Sequence, residues 1–205
     1  EFNDTYKNAV YEGNGARNVG CIIMEVDSGE ILAMASYPNF DLNEPRNTDA
    51  LIGQNMVDES GNVLSDVINE ALLEQMDDDT LYRQLNALWK NYCISSTFEP
   101  GSTMKPFTVA AGLESGKLLG NEVYECNGSL TIVEGEKPIK CHNVYGDGPT
   151  TISQAIEKSC NVALMKMGQT IGTETMLKYM QDFNFGLKTN IDLAGEARTA
   201  SLVFT

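Results

Sequence analysis

Glu99-Pro-Gly-Ser-Thr-Met-Lys-Pro106 sets a serine hydroxyl and a lysine amine three residues apart where a helix is expected to begin. Pro100 and Gly101 turn the chain, Ser102 opens the helix, and the i, i+3 spacing lays Lys105 over Ser102 on one helical face. The hydroxyl then lies near backbone N–H groups that no helical carbonyl can reach, with a potential base one turn away. A nucleophile, its activator and part of an oxyanion site thus come from one short segment. Alone the pattern is weak, since a chain of 205 residues yields about one Ser-x-x-Lys by chance. A capping serine followed by a solvated lysine would read the same. The residues from Pro106 to Gly116 read as an apolar helix, with Pro106 in the first turn, where its missing N–H costs little, and Gly116 as the cap.

A second segment carries the argument further. Thr150-Thr-Ile-Ser-Gln-Ala-Ile-Glu-Lys-Ser159 has the period of an amphipathic helix, and after Cys160-Asn161 another helical run extends from Val162 to Gly168. Ser159 and Asn161 therefore belong to a tight junction between two helices. A hydroxyl there can pass a proton between lysine, nucleophile and leaving group, and a carboxamide can hold a substrate amide. Ser-x-Asn also occurs at Ser60-Gly-Asn62, in a polar stretch, and that copy is taken as chance.

Together these segments resemble the transpeptidase domain of class B penicillin-binding proteins, the serine acyltransferases that cross-link bacterial peptidoglycan and are trapped by β-lactams. The likeness begins at Val19-Gly-Cys-Ile-Ile-Met-Glu-Val-Asp-Ser-Gly-Glu-Ile-Leu-Ala-Met-Ala-Ser-Tyr-Pro-Asn-Phe-Asp41 and continues through Trp89-Lys-Asn91, the Ser102 motif and Ser159-Cys-Asn161. It implies an α/β (α+β) penicillin-binding protein/serine β-lactamase-like fold, with a helical lobe and part of an antiparallel sheet. By the resemblance Ser102 attacks the penultimate D-alanine carbonyl of a stem peptide, Lys105 is its general base, Ser159 shuttles the proton and Asn161 orients the acyl chain. Lys105 needs an appreciable neutral fraction for that role, hence a lowered pKa. The acylation base is disputed in related enzymes. The partners implied are stem peptides, β-lactams and other cell-wall synthesis proteins, on the extracytoplasmic face of a bacterial membrane, with no cofactor and no metal. A β-lactamase or β-lactam sensor of the same fold, or a catalytically silent scaffold piece, are the competing readings.

One departure stands out. The family's third motif, Lys-Thr-Gly or a close variant, is not found, and Lys188-Thr-Asn190 is read as a decoy because it follows Phe185-Gly-Leu187 in a stretch that precedes that motif in the family. The expectation is a single partial transpeptidase domain over residues 1–205, without the N-terminal anchor or the C-terminal part of the sheet and impaired in turnover, with one long strand edge left bare.

Composition fits a globular domain, at 42% hydrophobic and 21% charged, with no repeats or low-complexity runs. Fourteen basic against 29 acidic residues give a formal charge of −15, which disfavours nucleic acid and anionic membrane surfaces. Asp58-Glu59 and Glu74-Gln-Met-Asp-Asp-Asp79 lie in a polar stretch over residues 41–88, and their spacing does not fit a calcium loop, so a solvated acidic face is preferred. Apolar runs flanking Asp27-Ser-Gly29 predict a β-hairpin. Helices are expected near 64–76, 78–90, 102–116, 151–158, 160–171 and 173–183.

Five cysteines make an odd count with no Cys-x-x-Cys pair, which argues against a zinc ribbon. Cys126 and Cys141 bracket a segment that turns near Glu134-Gly135, so a hairpin would set them across from each other. In an extracytoplasmic family a disulfide closing this loop would contribute about 3 kcal/mol in the chain-entropy model, and buried free thiols are the alternative. His142, the sole histidine, is read as a hairpin-end residue, Trp89 as a packing residue, and Cys160 as a cleft cysteine without a neighbour that would make it reactive.

Overall fold

The computed structural model describes residue 16 and residues 18–203, which divide into two compact units. The first unit runs to Thr97 and takes back Asp192–Ala197; the second holds Phe98–Ile191 and the residues from Arg198 on.

In the first unit β1 (Val19–Met24) and β2 (Ile31–Tyr37) form the expected antiparallel hairpin, with Val19 opposite Tyr37 and Ile23 opposite Ala33. The turn is locked locally: Glu25 N–H donates to the Glu30 carbonyl at 2.8 Å, and the Glu25 carboxylate accepts from Ser28 N–H. Among the described residues this sheet has two strands, and Val19, Ile22, Ile23, Met24 and Leu32 are exposed on it.

The helix expected over 64–76 does not form as such. Val63–Val67 is instead a strand, β4, antiparallel to β3 (Asn55–Val57). The Asp58 carboxylate gathers the N–H groups of Ser60 and Asn62 at 2.8 Å each and Asn62 Nδ2 at 2.9 Å, so the chain reverses and Val63 comes opposite Val57. Ser60 and Asn62 are exposed parts of this turn. The β-branched valines at either end of β4 suit extended backbone. Helix begins only after Asn69, whose side chain caps Leu72 N–H at 2.9 Å and opens the single turn α1 (Glu70–Leu73).

Asp77 caps α2 (Asp78–Leu88) through Thr80 N–H at 2.7 Å, and Asp78 and Asp79 occupy its first turn, where the positive end of the helix dipole favours them. The acidic run is thus a helix start. Leu51, Ile68, Leu85 and Leu88 form a small core against which Phe40 and Trp89 pack, and Trp89 Nε1 donates to the Pro45 carbonyl at 2.7 Å. Gln84, only 2% exposed, pairs with both backbone groups of Val57, accepting its N–H at 2.8 Å and donating to its carbonyl at 3.1 Å. It does for β3 what a third strand would do. Asn91 caps α3 (Tyr92–Ser95), which packs on β1 and β2.

The second unit opens with a 3-10 turn, Gly101–Met104, that runs directly into α4 (Lys105–Glu114). Two antiparallel pairs follow: β5 (Val123–Cys126) with β8 (Gly148–Thr151), and β6 (Ser129–Leu130) with β7 (Ile139–Lys140). The second pair is the hairpin expected between Cys126 and Cys141. Thr151 then begins α5 (Ile152–Glu157) with a capping box closed by Gln154. Next come α6 (Asn161–Ile171) and α7 (Thr173–Asp182). Val162, Ala163, Met167 and Ile171 of α6 sit at the centre of the core with Leu118, Ile152 and Ala155. Phe107 meets the rings of Phe183 and Phe185 edge-on at 5.0 and 5.2 Å. Lys188–Asn190 is irregular, exposed backbone, and no described helix is long and apolar enough to cross a membrane. Helices interleaved with antiparallel pairs give the α+β class that the sequence implied.

Candidate active site

The second unit brings the four candidate residues to one place. Lys105, first residue of α4, directs Nζ to three oxygens: the Ser159 carbonyl at 2.6 Å, Ser159 Oγ at 2.7 Å and Asn161 Oδ1 at 2.7 Å. Ser159 Oγ in turn lies 3.0 Å from Ser102 Oγ. The amine therefore reaches the candidate nucleophile through the Ser159 hydroxyl, a linkage that the one-face reading of Ser102 and Lys105 did not contain.

Local backbone explains why Ser159 is there. At the end of α5, Ser159 N–H bonds the Ile156 carbonyl at 3.1 Å and Cys160 N–H bonds Ala155 at 2.8 Å, the paired bonds of a Schellman cap. The residue between must be left-handed, and Ser159 has φ +53°, where glycine is usual. The strained serine ends one helix, and Asn161 starts the next with its Nδ2 held by the Lys140 carbonyl at 3.0 Å. Both ends of the Asn161 carboxamide are engaged, one by Lys105 and the other by β7.

Three acceptors around Nζ suit an ammonium, yet the net displacement of the Lys105 pKa is downward. Burial drives it, against an opposing pull from Cys141 and Cys160. Burial likewise pushes the Cys160 thiol up to about 12, so it is no nucleophile at neutral pH. Ser102 is exposed at the mouth of a cleft of about 550 Å³ that Lys140, His142, Glu157 and Asn161 also line. His142 is exposed on this cleft, and its buried neighbour Cys141 borders it as well. Neither Lys140 nor Glu157 belongs to a motif that marks it in the sequence.

A serine and lysine one turn apart, joined through a second serine at a helix junction, is the arrangement of active-serine acyl-transfer proteins. Residues 19–201 match the penicillin binding protein transpeptidase domain. The chain is 31% identical over 176 residues to stage V sporulation protein D of Bacillus subtilis, covering 85% of this chain and 22% of that protein. It is similar in structure to the D,D-transpeptidase domain of a peptidoglycan glycosyltransferase from Eggerthella lenta, with TM-score 0.61 and 25% identity over 85% of this chain and 34% of the other. Penicillin-binding protein 3 of Mycobacterium tuberculosis, solved with ampicillin, gives TM-score 0.59 and 26% identity over 89% of this chain and 32% of the other. The chain belongs to the transpeptidase domain family of class B penicillin-binding proteins. It spans less than a quarter of the length of the sporulation protein it matches.

Proposed function

We propose that this chain carries the acylation centre of a peptidoglycan D,D-transpeptidase, with Ser102 as nucleophile, Lys105 as base, Ser159 as proton relay and Asn161 as the group that holds Lys105 and orients the acyl chain. The observation that carries the reading is the unbroken path from Lys105 Nζ through Ser159 Oγ to Ser102 Oγ, in steps of 2.7 and 3.0 Å. With Lys105 neutral, the Ser102 proton passes to Ser159 Oγ as the proton of Ser159 passes to Nζ, and Ser102 Oγ bonds the carbonyl carbon of the penultimate D-alanine. Collapse of the tetrahedral intermediate breaks the peptide bond, and the terminal D-alanine leaves as an amine that takes a proton back along the same path. An amine of a neighbouring strand then displaces Ser102 and completes the cross-link. A β-lactam offers the same carbonyl in a ring, so its leaving group stays attached. The matched relatives' names, including peptidoglycan D,D-transpeptidase for a protein of Escherichia coli 25% identical to this chain, support this substrate class, and a peptidoglycan substrate would set the site on the extracytoplasmic face of the membrane.

Mass spectrometry after incubation with a penicillin tests the proposal. One adduct is expected, mapping to the peptide that holds Ser102 and absent from Ser102→Ala. An adduct that persists in Ser102→Ala, or that maps elsewhere, overturns it.

A further inference from the structure

Beside the relay lies a second cluster that the acyl-transfer chemistry does not use. Cys126 ends β5, Cys141 follows β7, Asp147 precedes β8, and Cys160 caps α6. Their three sulfurs and one carboxylate oxygen all lie within 4.8 Å of one another. The cysteines are free thiols, buried at 1%, 4% and 0% exposure, and Asp147 closes the cluster from a half-buried position.

We propose that Cys126, Cys141, Cys160 and Asp147 form a structural zinc site. Two of the six donor–donor distances are close to the edges of a coordination tetrahedron: Cys141 and Cys160 Sγ are 3.7 Å apart and Cys141 Sγ is 4.0 Å from Asp147 Oδ2, with the others inside 4.8 Å. Zinc–sulfur bonds of about 2.3 Å give tetrahedral edges of about 3.8 Å. Three soft sulfurs and one carboxylate are a donor set for a borderline-soft, redox-inert divalent ion rather than for magnesium or calcium. The surrounding contacts orient the donors. Asn143 Nδ2 donates to the other carboxylate oxygen, Asp147 Oδ1, at 3.2 Å, and Ala163 N–H donates to Cys160 Sγ at 3.4 Å.

The loops that carry Cys126 and Asp147 are pressed backbone to backbone. A Cβ on Gly128 would stand 2.1 Å from the Val144 carbonyl oxygen, and one on Gly146 would stand 2.2 Å from that of Cys126. Both residues have φ near +86°, so only glycine meets the conformation and the approach together. Sequence spacing concealed the site because each ligand sits on a different element, with no Cys-x-x-Cys pair to announce it. The argument against a zinc ribbon rested on that spacing. Ligation ties β5 and the loop before β8 to the turn that presents Ser159 and Asn161.

The test uses the full chain and does not depend on acylation. Elemental analysis of protein purified under reducing conditions should find about one zinc per chain, and Co²⁺ in its place should give the intense visible absorption of a tetrahedral thiolate complex. Stripping the metal with a chelator should lower the melting temperature, and added Zn²⁺ should restore it. Cys141→Ser should abolish stoichiometric binding. Asp147→Asn keeps all three thiols, guards against a variant that fails to fold, and should weaken Zn²⁺ by at least about tenfold in chelator competition. Folded protein with less than a tenth of an equivalent of metal, a Cys141–Cys160 disulfide in non-reducing peptide maps, or unchanged zinc affinity in Asp147→Asn would each overturn the site.

Discussion

Gln84 in the first unit and Lys105 in the second are both polar side chains that reach across from a helix, and they end differently. Gln84 is 2% exposed and gives its oxygen and nitrogen to one residue, Val57, so its hydrogen bonds close on themselves. One of the three bonds of Lys105 leads outward, through the Ser159 hydroxyl, to that of Ser102 on an open cleft. A closed polar pair completes a fold, because every buried group is satisfied and nothing remains to react. A chain of groups with one exposed end can pass a proton to something that binds there. Burial, which keeps Gln84 from water, also lowers the pKa of Lys105, and in the proposed function only the second of these serves chemistry.

The largest expected effect separates the two directly. Lys105→Met should slow acylation of Ser102 by a factor of about 10² to 10⁴, the range of general-base catalysis, while the melting temperature stays within a few degrees. In the unmodified protein the acylation rate should rise with pH as Lys105 loses its proton. The lowered pKa places the plateau below the ordinary lysine value of 10.5, and Lys105→Met should remove that rise. Stopped-flow or mass-spectrometric acylation rates across pH check both. An unaltered pH profile in Lys105→Met would move the base elsewhere.

Gln84→Leu is the converse. It strands the Val57 N–H and carbonyl in a small core and should cost about 1–3 kcal/mol for each group left without a partner, read by urea denaturation, with the Ser102 acylation rate of the folded protein unchanged. A loss of acylation matching the loss of stability would erase the distinction between the two side chains.

The smallest effect is the sharpest. Ser159→Gly relieves a left-handed serine and should stabilise the protein by about 1 kcal/mol, although the relay hydroxyl is gone and acylation falls. Ser159→Ala removes the same hydroxyl but keeps the strain, so the two variants should share a rate and differ in melting temperature. A faster Gly variant would mean that Ser159 acts through backbone geometry rather than as a relay.

How much of this was readable in advance differs between the units. The hairpin at Asp27–Gly29 and the helices at Asp78–Leu88, Lys105–Glu114, Ile152–Glu157, Asn161–Ile171 and Thr173–Asp182 follow from local pattern, whereas the grouping of Ser102, Lys105, Ser159 and Asn161 was expected from the family resemblance. Val63–Val67 misled because an apolar–polar run before a true helix carries both periods, and the deciding contacts came from Asp58 behind it and from β3 across it. Gln84 could not be read at all, since nothing in a glutamine's neighbours along the chain tells whether it faces water or an unpaired strand.

By itself the sequence determined the family, the α+β class, and the serine and lysine set one helical turn apart, because each rests on residue type and short spacing. Only the tertiary structure decided the 2.7 and 3.0 Å steps that set Ser159 between Lys105 and Ser102, that a left-handed serine rather than a glycine closes α5, and that Cys126, Cys141 and Cys160 converge beside Asp147. Those outcomes depend on where separate helices and strands come to rest against one core, and packing of that kind leaves no period in the chain.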